Sequence, residues 1–408
     1  MCEDSLTHHT YANGLRLVHL HRSGAAVGYF GVMVRAGSRD EAPDEHGLAH
    51  FVEHTIFKGT DSLPAMSILN RMESIGGELN AYTTKEETVV YTVFPGGNLN
   101  RAARLVADLV INSRFPAEEL DREREVVADE IDSYLDQPSE AVFDDFEELI
   151  FAGNPLAHNI LGRRDTLTAF TSERCRTYLR RWYVPGNMVA FYAGPLPAGR
   201  AAETIGRAFA TLSGHMPVRT PQAPEPRQFE GVSRPVDTHQ AHTVIGAPTG
   251  GFNSPDRYAM ALFTNIIGGP GMNSLLNIRL RERLGLVYNV EASTDIFTDC
   301  GLLTVYYGCD PADNRRCERL VRSVVRSVAD GAITPARLQK AKRQYLGQMI
   351  LSGENVENRI LGLARQTLLR GYVIPRAEVA ERINSLTCSD IADFAASLQL
   401  SRLTLGPV

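Results

Sequence analysis

The stretch PDEHGLAHFVEHTIF, residues 43–57, returns in altered form as PDRYAMALFTNIIGG at residues 255–269. Both segments open with Pro-Asp and continue with apolar residues at helical spacing. A second pair of similar segments follows in the same order, with FPAEELDREREVVADEI at residues 115–131 and ITPARLQKAKRQYLGQMI at residues 333–350. The repeated order indicates that the chain contains two diverged copies of one unit.

The two copies end alike and are separated by a proline-rich segment. Residues 171–194 and residues 387–408 each have the pattern of a helix, a turn and a closing apolar strand. Between the copies lie Pro217, Pro221, Pro224 and Pro226. Proline lacks an amide donor and fixes its own backbone angle, so this segment cannot continue a helix or a central strand. We predict an N-terminal domain at 1–215, a linker at 216–230 and a C-terminal domain at 231–408.

Helices and strands come in clusters along the first copy. Apolar alternation predicts strands in the segments 15–22, 27–37 and 87–95, and helical spacing predicts helices at 44–58, 64–75, 98–112 and 116–135. Strict alternation of strands and helices would indicate a parallel sheet, whereas clusters favour antiparallel pairs. The predicted fold class is therefore α+β, with two homologous domains that each pack a largely antiparallel sheet against helices.

Composition narrows the classes of partner. The chain has 408 residues, of which 43% are hydrophobic and 22% charged, with a net charge of -6. This balance is typical of a globular protein and gives no overall attraction to nucleic acid. The six cysteines are scattered without CxxC spacing, the first residues are polar and acidic, and no apolar run reaches the length of a membrane span. We predict a cytoplasmic protein with reduced thiols and without nucleic-acid or membrane partners.

His50, Glu53 and His54 form an H-x-x-E-H pattern on the predicted helix at 44–58. At about 100° of turn per residue, two histidines four positions apart lie on one face and can bind one metal ion. Glu53 is rotated off that face, so it can act as a base toward water without being a ligand. A catalytic zinc site uses three protein ligands and keeps an open position. The pattern by itself is suggestive of a zinc-dependent hydrolase, and the alternative that the two histidines are only partly buried polar groups on a helix stays open at this point.

A third ligand is available on the predicted helix at 116–135. Glu123 and Glu130 stand seven residues apart on this helix, which places them two turns along one face. A helix this rich in charge is usually a solvated surface, and that interpretation stays open on the pattern alone.

The segment HGLAHFVEHTIFKGT, residues 46–60, followed by Glu130 resembles peptidase family M16, the pitrilysin and mitochondrial processing peptidase group. H-x-x-E-H is the inverted zinc motif. The resemblance covers essentially the whole chain and is strongest to the short bacterial members. It implies that Glu130 is the third zinc ligand and that Glu123 orients a ligand. It also implies a homodimer.

Two further segments match family signatures. LRERLGLVYNV, residues 280–290, places Arg281 and Tyr288 as in the arginine and tyrosine pair that the family uses against substrate. GGELNAYTTKEETVVYTVF, residues 76–94, contains the matching Asn80 and Ala81, which the resemblance implies bind the substrate backbone along an edge strand. On the residues alone, Arg281 could instead lie at a charged helix end and Tyr288 at the start of a strand. Asn80 and Ala81 could belong to an ordinary sheet strand. Leu284 departs from the family, which often has a basic residue there.

The second copy lacks the metal residues. Superposing the repeated segments sets His50, Glu53 and His54 opposite Leu262, Asn265 and Ile266, and sets Glu123 and Glu130 opposite Lys342 and Met349. We therefore predict one Zn²⁺ per chain. The function hypothesis is a zinc metalloendopeptidase that hydrolyses unfolded peptides in an enclosed chamber. The alternatives are a presequence-processing peptidase and a noncatalytic peptide-binding or structural subunit.

Overall fold

The computed structural model of the chain describes residues 4–219 and 222–407. Two residues of the predicted linker, 220 and 221, lie outside the described residues. Two compact units are present: the first comprises residues 1–132, 158–221 and 352–373, and the second comprises residues 133–157, 222–351 and 374–408. Each unit pairs a sheet with helices, so the predicted α+β class with two similar domains is confirmed.

The elements of the first half follow in the order that the sequence predicts. Its strands are β1 (Ser5–Thr10), β2 (Arg16–His21), β3 (Val27–Val34), β4 (Glu78–Thr83), β5 (Thr88–Pro95) and β6 (Met188–Gly194). Its helices are α1 (Leu48–Thr55), α2 (Ala65–Glu73), α3 (Leu99–Asn112), α4 (Ala117–Leu135), α5 (Pro138–Ile150), α6 (Ser172–Trp182) and α7 (Ala198–Ala208).

The second half repeats this order with changes. Its strands are β7 (Val232–Pro235), β8 (Ala241–Gly250), β9 (Val287–Ile296), β10 (Cys300–Cys309) and β11 (Ser401–Gly406). Its helices are α8 (Arg257–Gly268), α9 (Asn314–Ala329), α10 (Pro335–Ser352), α11 (Val356–Arg370), α12 (Arg376–Ser385) and α13 (Cys388–Ser397), and a short π-helix covers Asn277–Glu282. Among the described residues, no helix is both long and apolar enough to cross a membrane.

The two sheets share one topology, except that the first has an additional edge strand, β1. The first has the strand order β1-β2-β6-β3-β5-β4, and the second has the order β7-β11-β8-β10-β9. Each sheet contains one parallel pair, β2 with β6 and β11 with β7, while the other neighbours are antiparallel. Strands β6 and β11 are the last strands of the two copies, as the similar segments 171–194 and 387–408 predict. The duplication is therefore visible at the level of strand order.

One face of the first sheet packs on helices of its own half, and the other face packs on α11. Leu17, Val32 and Val90 lie in the core with residues of α1, α3 and α4. On the opposite face, Val18, Met33 and Phe191 pack against buried side chains of α11, namely Ile360, Ala364 and Leu368. Alternate residues of each strand thus point to two separate apolar layers.

The second sheet is covered in the same way, but by α5. Phe146 and Val142 of α5 lie in one core cluster with Val244 and Leu403 of the sheet. Since α5 follows α4 as α11 follows α10, the two copies exchange corresponding helices. The compact units therefore do not coincide with the contiguous division at 1–215 and 231–408, because non-local packing places residues 133–157 in the second unit and 352–373 in the first.

Helix α1 differs from its predicted bounds. It begins at Leu48 instead of residue 44 and ends at Thr55 instead of residue 58. Gly47 adopts a φ of 95°, a left-handed conformation that favours glycine and separates the preceding turn from the helix. The shorter helix still contains both histidines and Glu53.

Candidate metal centre

Helix α1 presents His50 and His54 together because its other face is anchored in the core. Leu48, Phe51 and Val52 are fully buried. The two imidazole rings lie with their centroids 4.5 Å apart and their planes at 66°. The helical spacing of the two histidines therefore does bring them side by side.

A buried carboxylate fixes the N-terminus of α1. Glu41 accepts hydrogen bonds from the backbone N–H groups of Gly47 at 2.9 Å and Ala49 at 2.7 Å, and Nε2 of His158 lies 3.0 Å from the same carboxylate. Burial raises the pKa of Glu41, while the two backbone hydrogen bonds oppose that change. The carboxyl group thus satisfies two backbone N–H groups at the start of the helix. Sequence reasoning missed Glu41, because the helix was predicted to begin at Asp44.

Helix α4 brings Glu130 to the two histidines. Oε2 of Glu130 lies 3.4 Å from Nε2 of His54 and 3.8 Å from Nε2 of His50. Val127 and Ile131 are buried on the side of α4 that faces the core, whereas Val126 is 51% exposed. The interpretation of this helix as a solvated surface is therefore wrong for Glu123, which is buried. Glu130 is half-exposed, and its carboxylate points at the histidines.

The three side chains fit a tetrahedral metal ion. One ligand atom from each of His50, His54 and Glu130 lies within 4.8 Å of the others. Metal–ligand distances of about 2.0–2.1 Å in a tetrahedral site give ligand atoms about 3.4 Å apart, close to the two separations from Glu130. Within residues 4–219 and 222–407, this is the one group of three or more His, Cys, Asp or Glu residues with such spacing.

Proton affinities also suit metal binding. Burial, and next the neighbouring His54, lower the pKa of His50 to about 3, so its imidazole is neutral and keeps a free lone pair. Burial alone would lower the pKa of His54, but its hydrogen bond to Glu123 and the charges of Glu53 and Glu130 raise it. The carboxylates that raise the pKa of His54 would attract a metal cation in the same way.

Glu123 connects His54 to a lysine. Its carboxylate accepts a hydrogen bond from Nδ1 of His54 at 3.0 Å and forms an ion pair with Nζ of Lys58 at 2.6 Å. Burial opposes ionisation of Glu123, yet these two partners hold its pKa below the usual value. With Nδ1 as donor, Nε2 of His54 carries the lone pair that faces Glu130. Sequence reasoning did not single out Lys58, although it stands in the FKGT end of the quoted motif.

Glu53 lies next to the metal-ligand candidates without belonging to their group. Burial raises the pKa of Glu53, and its hydrogen bond from Oγ1 of Thr83, at 3.2 Å, opposes that rise. The phenol of Tyr183 is buried near Glu53. Its pKa is raised first by burial and then by the charge of Glu53. A carboxylate with a raised pKa is suited to take a proton at neutral pH.

The substrate-binding candidates Asn80 and Ala81 lie in β4. This strand pairs with β5 on one side and is the last strand of the first sheet. Both residues are half-buried. The structure therefore places them in an edge strand of the same unit as the metal-ligand candidates, with backbone groups available along its outer side.

Arg281 and Tyr288 lie together in the second unit. Arg281 belongs to the π-helix, a rare element that often occurs at functional sites, and Tyr288 belongs to β9. The guanidinium carbon of Arg281 lies 5.7 Å from the centroid of the Tyr288 ring, and Tyr288 is 84% exposed. An exposed tyrosine is available to a ligand, and its role in a reaction stays a prediction.

The second copy uses the positions of the metal residues for packing and capping. Leu262 is buried, and Asn265 donates a hydrogen bond to Oε1 of Gln348 at 2.8 Å. Lys342, opposite Glu123, is buried and donates to the backbone carbonyl of Asn384 at 2.7 Å. The metal-ligand candidates of the first copy are thus replaced by apolar side chains, an amide and a cationic lysine.

Known proteins resemble the chain along its whole length. A zinc protease of Mycobacterium leprae, described as uncharacterized, is 32% identical over 98% of this chain and 91% of its own length. A corresponding zinc protease of Streptomyces coelicolor is 31% identical over 98% of this chain and 88% of its own length. A probable mitochondrial-processing peptidase subunit beta of Arabidopsis thaliana is 30% identical over 94% of this chain and 74% of its own length.

Solved structures share the fold, and family profiles match both halves. A protease from Helicobacter pylori superposes with a TM-score of 0.91 at 21% identity, covering 99% of this chain and all of its own. Residues 16–164, which include the metal-ligand candidates, match Insulinase (Peptidase family M16), and residues 169–345 match Peptidase M16 inactive domain. The chain therefore belongs to peptidase family M16.

Proposed function

We propose that this protein is a zinc metalloendopeptidase of the inverted H-x-x-E-H type that cleaves unfolded peptides in an enclosed chamber. The observation that carries this proposal is the convergence of His50, His54 and Glu130, with Glu53 beside them on α1. The names of the relatives support zinc and proteolysis.

His50, His54 and Glu130 would hold the zinc ion, and Glu123 would hold the ring of His54 in place. Bound zinc supplies Lewis acidity, which polarises a carbonyl oxygen and makes water more acidic. One ion per chain follows, since the second copy has lost every corresponding ligand.

The remaining steps belong to the residues of the chain. Glu53 accepts the proton of the attacking water and later passes it to the leaving amine nitrogen, which is the usual double role of such a base. Asn80 and Ala81 hold the substrate as an added strand along β4, so affinity depends on backbone groups and specificity is broad. Tyr288 donates a hydrogen bond to the developing oxyanion, and Arg281 binds a substrate carbonyl.

We further propose that the active form is a homodimer. This assignment rests on the resemblance to the short bacterial members of the family. Analytical ultracentrifugation of the purified chain tests it directly, and a monomer that cleaves peptides at full rate contradicts it.

Metal analysis combined with a quenched-peptide assay tests the function. We expect one zinc per chain and cleavage that a chelator abolishes and added zinc restores. Glu53→Gln is expected to keep its zinc and lose turnover, because the substitution removes the base and preserves the ligands. Substoichiometric zinc, or no chelator-sensitive cleavage, would favour a noncatalytic peptide-binding subunit instead. Unchanged turnover in Glu53→Gln would exclude Glu53 as the base.

A further inference from the structure

Thr83 is the last residue of β4, the edge strand that carries Asn80 and Ala81, and its hydroxyl reaches Glu53. Oγ1 of Thr83 donates a hydrogen bond of 3.2 Å to Oε2 of Glu53. In the described part of the chain, no hydrogen bond to the other oxygen, Oε1, is observed. The contact therefore fixes one carboxylate oxygen and leaves the other one for a reacting proton.

The strand end that carries Thr83 is itself held in place. Backbone N–H groups of Ser38 and Arg39 donate to the carbonyl oxygens of Thr84 and Lys85 at 3.2 and 2.8 Å. Gly37 packs so closely against this turn that a Cβ atom there would lie 2.2 Å from the Thr84 oxygen. The turn between β4 and β5 is thus clamped against the loop that precedes α1.

Charged side chains add to this clamp. Nζ of Lys85 donates to the backbone carbonyl of His158 at 2.7 Å, and Arg39 pairs with Glu86 at 2.6 Å. Glu87 pairs with Arg365 of α11 at 2.5 Å. Lys85, Glu86 and Glu87 are all buried, so water screens these contacts little. Thr83 therefore extends from a rigid support.

We propose that Thr83 is a positioning residue that sets the Glu53 carboxylate relative to the peptide strand on β4. This inference rests on the proposed function, since it assigns a role to Glu53 as base and to β4 as the substrate edge. One strand then determines both where the scissile bond lies and where the base points. Without the hydrogen bond from Thr83, Glu53 could adopt other side-chain rotamers. A misplacement of a catalytic group by about 1 Å can cost about 100-fold in rate.

Substitutions at Thr83 separate this role from a purely structural one. Thr83→Val keeps the shape of the side chain and removes the donor, whereas Thr83→Ser keeps the donor. We expect Thr83→Val to lower kcat by about 10- to 100-fold with KM and zinc content unchanged, and Thr83→Ser to retain most of the rate. In zinc-free crystals of Thr83→Val, we expect the Glu53 carboxylate to be displaced or to occupy several conformers.

A double-substitution cycle and a matched control complete the test. The residual rate of Glu53→Gln is expected to fall no further when Thr83→Val is added, because the effect of Thr83 acts through Glu53. The control is Thr92→Val on β5. This substitution removes a hydroxyl that donates to the carbonyl of Glu78 on β4 and does not contact Glu53. Its kcat is expected to match the wild type.

Three outcomes would overturn the assignment of Thr83. They are an unchanged kcat in Thr83→Val, a loss of equal size in the Glu53→Gln background, and an undisturbed Glu53 in the zinc-free crystals. A wild-type protein that binds zinc but cleaves no peptide contradicts the proposed function instead, and the crystals then still decide whether Thr83 positions Glu53.

Discussion

Nδ1 of His54 lies 3.0 Å from one oxygen of Glu123, and the other oxygen of that carboxylate lies 2.6 Å from Nζ of Lys58. The three side chains form a relay from the metal-facing ring to a cation that is only partly exposed. Lys58 holds the pKa of Glu123 down, and Glu123 in turn would keep the His54 ring in the tautomer that leaves Nε2 free for a metal ion.

Removal of the cation is expected to weaken zinc binding. Lys58→Met retains the aliphatic stem and deletes the charge, and we expect its zinc affinity to fall by about 10- to 100-fold, with a similar or larger loss for Glu123→Gln. Competition with a chromogenic chelator at fixed pH measures both. Lys58→Arg is expected to stay near the wild type, and Lys340→Met on the exposed face of α10 serves as the control. Equal affinity in Lys58→Met and the wild type contradicts the relay.

Zinc is expected to stabilise the first unit specifically. A ligand at about a thousand times its Kd adds about 4 kcal/mol to the free energy of unfolding. Calorimetry of the zinc-loaded and chelator-treated protein should therefore show a rise in the Tm of one transition. Glu53→Gln should show the same rise, whereas His50→Ala should show none. A rise that persists in His50→Ala would place the ion elsewhere.

Loss of the Tyr288 hydroxyl is expected to slow cleavage without affecting the fold. Removing one oxyanion donor typically costs about 100- to 1,000-fold in kcat, so Tyr288→Phe should lie near that range. Tyr288 is 84% exposed, and its replacement should leave the Tm and zinc content unchanged. Steady-state kinetics gives the measurement, and Tyr372→Phe, another exposed tyrosine, is the control. Full activity of Tyr288→Phe would remove it from the mechanism.

His19 is expected to make stability depend on pH. Burial, and next His21, lower the pKa of His19 to about 4 from the usual 6.5. The folded state therefore resists a proton that the unfolded chain accepts, so the free energy of unfolding is fully retained above about pH 6.5 and falls as pH drops toward 4. The total effect is about 3 kcal/mol.

Denaturant unfolding of zinc-free protein between pH 4 and 7 measures this slope. His19→Gln removes the titrating ring, so its stability should vary less with pH than that of the wild type. His9→Gln, a change on the exposed strand β1, should keep the wild-type slope. Parallel curves for the wild type and His19→Gln would show that His19 does not titrate abnormally.

Periodicity in the sequence located the ligand helices well. Helix α4 begins one residue after its predicted start and ends where predicted, because a long amphipathic run packs one face whatever surrounds it. Helix α1 starts four residues late, since the conformation of Gly47 depends on local backbone geometry that apolar spacing does not encode. The structure brings His50, His54 and Glu130 together, and their role as zinc ligands stays a prediction.

Partners of the ligands were harder to predict. Glu41, Lys58 and Thr83 act through contacts set by loops and strand ends, where no periodic pattern marks a side chain. The positions of α5 and α11 were equally hidden. Each packs on a sheet that is distant in sequence, and single-chain patterns carry no information about such pairing.

Because α5 covers the second sheet and α11 covers the first, each half depends on the other during synthesis. When the first half leaves the ribosome, its sheet lacks the helix at residues 356–370 that will cover one apolar face, and that helix emerges only after strands β7 to β10 of the second half. A gene cut at the proline-rich linker would yield two fragments that each expose a bare sheet face, prone to aggregate. The two copies therefore depend on one polypeptide to cover both sheets.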